Sequence, residues 1–599
     1  MPRAVTHARR FSLAAFIAFL ALAGSASDAM ANSHRKLDRA LSQVVDSSPD
    51  GSTYQVIVRA TPGSGAGLRK QLAEENIQIV AEHPADDAVT VELSAQDLLR
   101  WSESTAVATL SLNADVAPTG GPLQLSSGTT TNTLLATLGV TPSLTGGAGI
   151  TVALIDSGLD PSKAFFGRIK AFYDFTNGQA LARKAFDDYG HGTHIAGLIG
   201  GEQATQDSQY QGIAPAVQFV VLRVLDSTGK GKTSDVIRAL DFVTTNAALF
   251  GIDIINLSLG HPIFEPASTD PLVQAVERAS AAGLIVVASA GNFGSNPDTH
   301  TIGYAGTTSP GNAPSAITVG ALNHADTIVR SDDRVTAYSS RGPTWYDGYV
   351  KPDIVAPGHN LVSEAAPRAA LTETYPELLR VAHTGNVFIS LSGTSMAAGV
   401  TTGVVALMKQ SAGPYRSQLT SNIAKALLQF TAIPLHNDSG GAYDALTQGT
   451  GGINAAGALY LVRNINFAHA DTNTAWTSLV PCSVQISACT SSIGGQPYTW
   501  ATNIVWGEHL VWGDSVFYPL SAWAQNIVWG ENIVWGERVV WGNNIVWGEN
   551  IVWGENIVWG ENIVWGENIV WGENIVWGEE NIVWGEFAVW GFAGIQGSW

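Results

Sequence analysis

Four residues of this 599-residue chain carry chemistry by their type and setting: Asp156, His191, Asn292 and Ser395. Ser395 lies where an apolar run, residues 387–391, meets a glycine and two hydroxyl residues. Beyond it Met396, Val400, Val404, Leu407 and Met408 recur at helical spacing, so a helix is expected to begin at or near Ser395. Unpaired backbone N–H groups and the positive end of the helix dipole converge at such a place. A serine there caps a helix far more often than it reacts. It becomes a nucleophile only with a base to take its proton, an acid to orient that base and a donor for the oxyanion.

The other three residues offer those roles. Asp156 follows the apolar run 150–155, and a carboxylate at the end of a buried strand needs a partner because an unpaired buried charge is costly. Capping a nearby turn is its structural alternative. His191 sits in Tyr189-Gly190-His191-Gly192-Thr193-His194, where the flanking glycines leave the imidazole reachable and let other backbone come close. His191 and His194 are also spaced like metal ligands, but no third ligand in a recognisable spacing joins them, so no metal site is assigned. Asn292 closes the run Val286-Val287-Ala288-Ser289-Ala290-Gly291-Asn292. It is either a turn former or a side-chain N–H donor to a developing oxyanion.

The elements that would position these residues follow from the pattern around them. Across residues 150–463 strands and helices alternate, and the runs 150–155, 219–224, 252–257, 284–288 and 317–319 are continuously apolar. Strands apolar on both faces belong in a parallel sheet covered by helices on each side, with functional residues at the carboxyl ends of the strands. An earlier segment reads as strand 54–59, helix 68–75, strands 77–80 and 89–93, helix 94–101 capped by Ser94, and strand 107–112. That order, β-α-β-β-α-β, is a small ferredoxin-like unit. Residues 119–133 are mostly Gly, Ser, Thr and Pro and read as a solvated, cleavable linker.

Taken together, Asp156 in Asp-Ser-Gly, His191 in Gly-His-Gly-Thr-His, Asn292 in Ala-Gly-Asn and Ser395 in Gly-Thr-Ser-Met-Ala resemble the signature blocks of the subtilisin-like serine proteases, in that family's order. Further matches run from about Thr145 to Ala458, among them Gly212-Ile213-Ala214-Pro215 and Tyr338-Ser339-Ser340-Arg341-Gly342-Pro343. The resemblance implies an α/β fold: a subtilisin-like, mostly parallel sheet with helices on both faces. It also implies a triad of Asp156, His191 and Ser395, with Asn292 in the oxyanion hole and peptide substrates pairing along Ser258, Leu259 and Gly260. The ferredoxin-like unit is similar to the family's propeptide, which inhibits its own enzyme. Calcium is common in the family, yet the loop 201–211 holds no motif that assigns ligands, so no cofactor is assigned. Two places depart from the family's pattern: His261 replaces a glycine usual in many members, and Ala398-Gly399-Val400-Thr401-Thr402 replaces Ser-Pro-His-Val-Ala.

Composition and the two ends of the chain complete the reading. A net charge of -20 argues against nucleic acid as a partner, and two cysteines, Cys482 and Cys489, exclude a disulfide scaffold. Arg3, Arg9 and Arg10 precede an apolar run, 11–22, that is too short to span a membrane, and Ala29-Met30-Ala31 offers a cleavage site. Residues 1–31 are therefore expected to be a secretory signal peptide, with the product secreted, periplasmic or at the cell surface. The expected layout continues with a propeptide at 32–117, a linker at 118–140 holding the processing site, a catalytic domain at 141–463, a second linker at 464–502 and a repeat region at 503–599. From Asn503 the hexapeptide Asn-Ile-Val-Trp-Gly-Glu recurs, with Trp-Gly every six residues from Trp529 to Trp577. Its strict period suits a β-solenoid, the alternative being a low-complexity tail guarded by its glutamates. Exposed tryptophans would suit self-association or attachment to a cell surface. The leading expectation is an exported endopeptidase made as a zymogen; the other is a surface protein whose protease domain only matures the repeat tail.

Overall fold

The structure is a computed structural model that describes residues 36–47, 52–122, 133–465, 467 and 489–502, apart from 177, 179, 204–209, 297, 298 and 383. The expected signal peptide, the repeat region with its solenoid, and Cys482 lie outside the described residues. Two compact units divide the chain between Asn113 and Ala114.

The first unit runs α1 (Arg39–Ser47), β1 (Thr53–Ala60), α2 (Gly65–Glu74), β2 (Ile79–His83), β3 (Ala88–Ser94), α3 (Ala95–Ser102) and β4 (Val107–Leu112). Its four strands lie in the order β2-β3-β1-β4 with antiparallel neighbours, which is the ferredoxin-like arrangement the alternation predicts. Alternate residues Val56, Val58 and Ala60 of β1 and Val89, Val91 and Leu93 of β3 turn inward onto Leu68, Leu72, Leu98 and Trp101. Ser94 caps α3 in a reciprocal capping box with Asp97, as its position predicts. Helix α1, which adds Leu41 to this core, precedes the expected elements.

In the second unit a nine-stranded sheet holds β7 (Thr151–Asp156), β8 (Ile169–Asp174), β9 (Leu181–Ala182), β10 (Gln218–Arg223), β12 (Ile254–Leu257), β14 (Ile285–Ser289), β16 (Ile317–Asn323), β17 (Arg334–Val335) and β18 (Ile354–Pro357). The order is β17-β16-β14-β12-β7-β10-β8-β9, with β18 also beside β16. Only β9 and β17 pair antiparallel; the remaining pairs are parallel. Strands β7, β12 and β14 are buried along their whole length, which explains their unbroken apolar sequence. Helix α4 (His191–Gly200) packs against α7 (Thr394–Ser411), and α5 (Thr233–Phe250) against α6 (Pro271–Ala281), so the sheet is covered on both faces.

The end of the expected propeptide, residues 114–117, and the described parts of the two expected linkers belong to this unit instead. Strand β5 (Asp115–Pro118) lies between β11 (Gly231–Lys232) and β13 (Leu259–Pro262), and β6 (Gly120–Gly121) pairs with β21 (Val387–Gly393). Thr119, between them, is buried. A Gly- and Thr-rich stretch has no apolar face, yet its backbone N–H and C=O groups pair with strand edges as well as any other. Residues 490–499 form a hairpin of β22 (Thr490–Ile493) and β23 (Gln496–Thr499), and Cys489 and Trp500 beside it join the core.

Candidate active site

Strands β7, β12 and β14 run side by side in parallel, so the residues that follow them collect at one end of the sheet. Asp156 is the last residue of β7, Ser258 follows β12, and Asn292 comes shortly after β14.

Asp156 is fully buried and its Oδ1 accepts the Ser157 backbone N–H at 2.7 Å. The same oxygen lies 2.8 Å from His191 Nδ1, which fixes the proton of the neutral imidazole on that nitrogen. His191 opens α4, whose N-cap residue, Gly190, has no side chain to cap with. Asp187 does so instead: its carboxylate accepts the N–H groups of Gly190 and Thr193 at 2.7 and 2.8 Å, together with the Thr193 hydroxyl. A side chain at Gly192 would collide with the carbonyl of Gly158, so glycine is needed for the helix to approach β7 closely. His191 Nε2 and Asp156 Oδ2 have no hydrogen-bond partner among the described residues.

His194, three residues on, faces elsewhere. Its Nε2 donates to the carbonyl of Leu361 at 3.0 Å, and burial holds its pKa down at about 3, so the ring stays neutral. Among the described residues no group of three His, Cys, Asp or Glu side chains is placed to hold a metal ion.

Ser395 is the second residue of α7, which begins one residue before the position expected from the apolar spacing. Its side chain caps nothing: Oγ donates to the carbonyl of Ser258 at 2.8 Å and lies 3.0 Å from Thr119 Oγ1. Helix α7 is buried from Thr394 through Lys409. In the stretch that departs from the family's pattern, the Thr402 hydroxyl donates to Ala398 and accepts from Asn256 Nδ2 at 2.9 Å. That bond ties the helix behind Ser395 to β12.

The carbonyl oxygen of Thr119 occupies the centre of the site. The backbone N–H of Ser395 donates to it at 3.0 Å and Asn292 Nδ2 at 2.7 Å. Asn292 is held in that orientation because its Oδ1 accepts the backbone N–H of Thr394 at 3.0 Å and the Thr394 hydroxyl at 3.1 Å. The Thr119 N–H donates to the Ser258 carbonyl at 3.2 Å, Pro118 lies opposite Leu259 and Ala117 opposite Gly260. Of the residues proposed from sequence, Asp156 and His191 pair with each other, and Ser395, Asn292 and the Ser258–Gly260 edge meet along the chain's own residues 117–119; among the described residues no hydrogen bond joins His191 to Ser395. Thr394, which orients Asn292, and Thr119 itself were missed. Thr394 stands next to Ser395 in its motif, whereas nothing in the composition around Thr119 marks it.

Comparison with known proteins agrees with this architecture. The pattern of the subtilase family matches residues 147–454. Serine protease AprX of Bacillus subtilis (strain 168) is 38% identical over 288 residues, which cover 47% of this chain and 61% of that protein. Subtilisin DY of Bacillus licheniformis is 32% identical over 280 residues, covering 46% of this chain and 84% of that protein. The crystal structure of fervidolysin from Fervidobacterium pennivorans, a keratinolytic enzyme related to subtilisin, superposes with a TM-score of 0.54 at 21% identity, covering 69% of this chain and 62% of that one, and so shares the fold. With its signature blocks inside the matched region and its sheet built as in that fold, the chain belongs to the subtilase family.

Proposed function

We propose that the protein is an exported serine endopeptidase, synthesised as a zymogen, that hydrolyses peptide bonds through Asp156, His191 and Ser395. The observation that carries this reading is a single carbonyl, that of Thr119, held by two N–H donors beside the Ser395 hydroxyl. A serine hydroxyl is a weak nucleophile at neutral pH and needs a base. His191 Nε2 is the nitrogen left over for that task, while Asp156 on Nδ1 fixes the tautomer and stabilises the imidazolium once it forms. For the transfer, the Ser395 hydroxyl exchanges its bond to the Ser258 carbonyl for one to Nε2. Negative charge then grows on the carbonyl oxygen, where Asn292 Nδ2 and the Ser395 N–H already point. His191 returns the proton to the departing amine, and water repeats the sequence on the acyl-enzyme.

Zymogen behaviour follows from the same contacts. Substrate backbone would add as a strand along Ser258–Gly260, and residues 117–119 already fill that edge. The ferredoxin-like unit of residues 36–113 directly precedes them in the chain, the place of an inhibitory propeptide. No helix among the described residues is long and apolar enough to cross a membrane. Fluorophosphonate labelling tests the reading. The matured wild-type protein should label on Ser395, whereas Ser395→Ala should neither label nor shorten itself, with activity down by about 10⁶-fold, the scale known for subtilisin. Labelling that survives in Ser395→Ala would overturn the assignment.

A further inference from the structure

Residues 115–121 thread the site as one unbroken peptide, so the position of each side chain along it can be read. Thr119 precedes the bond next to Ser395, and its hydroxyl donates to Ser289 Oγ at 2.5 Å. Ser289 is the fully buried last residue of β14, and its own hydroxyl donates to the carbonyl of Leu257 at 3.4 Å. A polar side chain at the end of a buried strand is thus aimed at the hydroxyl of the residue that supplies the scissile carbonyl. Gly120 follows the bond. A Cβ built there would stand 2.9 Å from Met396 Sδ and 3.0 Å from Ser395 Cβ, pressing on the nucleophile itself, whereas a Cβ on Gly121 meets nothing within 4 Å. Three residues upstream of Thr119, Val116 is fully buried, while Asp115 is exposed and pairs with Lys232 at 2.7 Å.

We propose that the enzyme cuts its own chain between Thr119 and Gly120, and that the site selects substrates with a β-hydroxy residue before the cleaved bond and glycine after it, Ser289 being the side chain that reads the hydroxyl. The proposal rests on the serine endopeptidase reading above. Ser395 Oγ bonds to the Thr119 carbonyl carbon as its proton passes to His191. The Thr119–Gly120 C–N bond breaks, and the proton moves to the nitrogen of Gly120, which leaves as a new amino terminus. Water then releases Thr119 as a carboxylate and regenerates Ser395. Discrimination comes from Ser289. With valine, the isostere of threonine, its buried hydroxyl loses a hydrogen-bond partner, and a site built around such a bond rejects the analogue that lacks it.

The test uses the full chain, matured by its own activity, and the octapeptide of residues 115–122, Asp-Val-Ala-Pro-Thr-Gly-Gly-Pro. Amino-terminal sequencing should place the mature start at Gly120, and the peptide should be cut at Thr-Gly. Replacing its threonine by valine should lower kcat/KM about fivefold. Alanine in place of the first glycine should lower it at least about tenfold, and in place of the second it should change it less than about twofold. In a Ser289→Ala enzyme the threonine and valine peptides should be cut equally well. A mature terminus elsewhere, or equal rates for the two peptides with the wild-type enzyme, overturns the proposal, and neither depends on the variant folding. Fluorophosphonate labelling and casein hydrolysis run alongside separate the two levels. Both present with the wrong bond cut overturns the specificity alone, and both absent overturns the endopeptidase reading with it.

Discussion

Asp353, just before β18, and Asp156, the last residue of β7, stand at opposite ends of the strands of one parallel sheet, and both are buried. Asp353 is saturated. Its Oδ2 accepts the Thr318 N–H at 2.7 Å and Lys351 Nζ at 2.9 Å, and its Oδ1 faces Lys425 Nζ at 3.5 Å and Gln429 Nε2 at 3.4 Å. Lys351 also donates to the carbonyl of Ala316 and Lys425 to that of Pro314. Among the described residues Asp156 instead leaves Oδ2 unpartnered, and His191 beyond it leaves Nε2 so. A buried polar atom without a partner costs about 1–3 kcal/mol. At the amino ends of the strands, buried charge is paired to pin β16 and β18 together. At the carboxyl ends it is left incomplete, and stability is given up for groups that can exchange protons.

Substitutions that treat the two carboxylates alike should separate these roles. Asp156→Asn keeps the size of the side chain but not its charge, and should lower kcat by about 10⁴-fold with the unfolding midpoint nearly unchanged. An active Asp156→Asn enzyme would mean that the buried pair is structural after all. Asn292→Ala should lower kcat by about 10²–10³-fold with little change in KM, because its N–H serves the oxyanion more than the ground-state carbonyl. Asp353→Asn reverses the pattern. It strands two buried lysines and should cost about 3–5 kcal/mol in denaturant unfolding, while the fraction that folds keeps wild-type kcat.

Much of the layout at the carboxyl end was legible because each short motif marks the boundary of an element: Asp-Ser-Gly after an apolar run, glycines around His191, Gly-Thr-Ser-Met-Ala before a helical repeat. The ferredoxin-like order was legible too, since Val56, Val58, Val89 and Val91 alternate cleanly. Two omissions had a signal that went unread. Leu41, Val44 and Val45 of α1 are spaced as one helical face, and Gly494-Gly495 between β22 and β23 is a two-residue hairpin turn. The path of residues 119–121 had none, because backbone hydrogen bonds place it and its composition is that of a linker. The same holds for Ser289: its sequence neighbours mark a strand end, and only the folded chain brings it to Thr119.

The smallest expected effect also lies at the amino end, in the pH dependence of stability. Burial lowers the pKa of Lys425 from 10.5 to about 7, an effect that Asp353 opposes and Lys351 reinforces. Between those two values the unfolded chain holds a proton that the folded chain has released, so unfolding takes up a proton and stability rises with pH. The slope contributed by one such group is at most about 1.4 kcal/mol per pH unit, and below pH 7 the contribution is flat. Urea unfolding from pH 7 to 9, performed on Ser395→Ala to prevent self-digestion, should therefore show a rising midpoint. Lys425→Met removes the titrating group, leaves Lys351 paired one to one with Asp353, and should flatten the rise. Should the slope persist in that double variant, the proton uptake belongs to another group. The network around Asp353 would then be fully ionised, and saturation alone would set the amino end apart from Asp156.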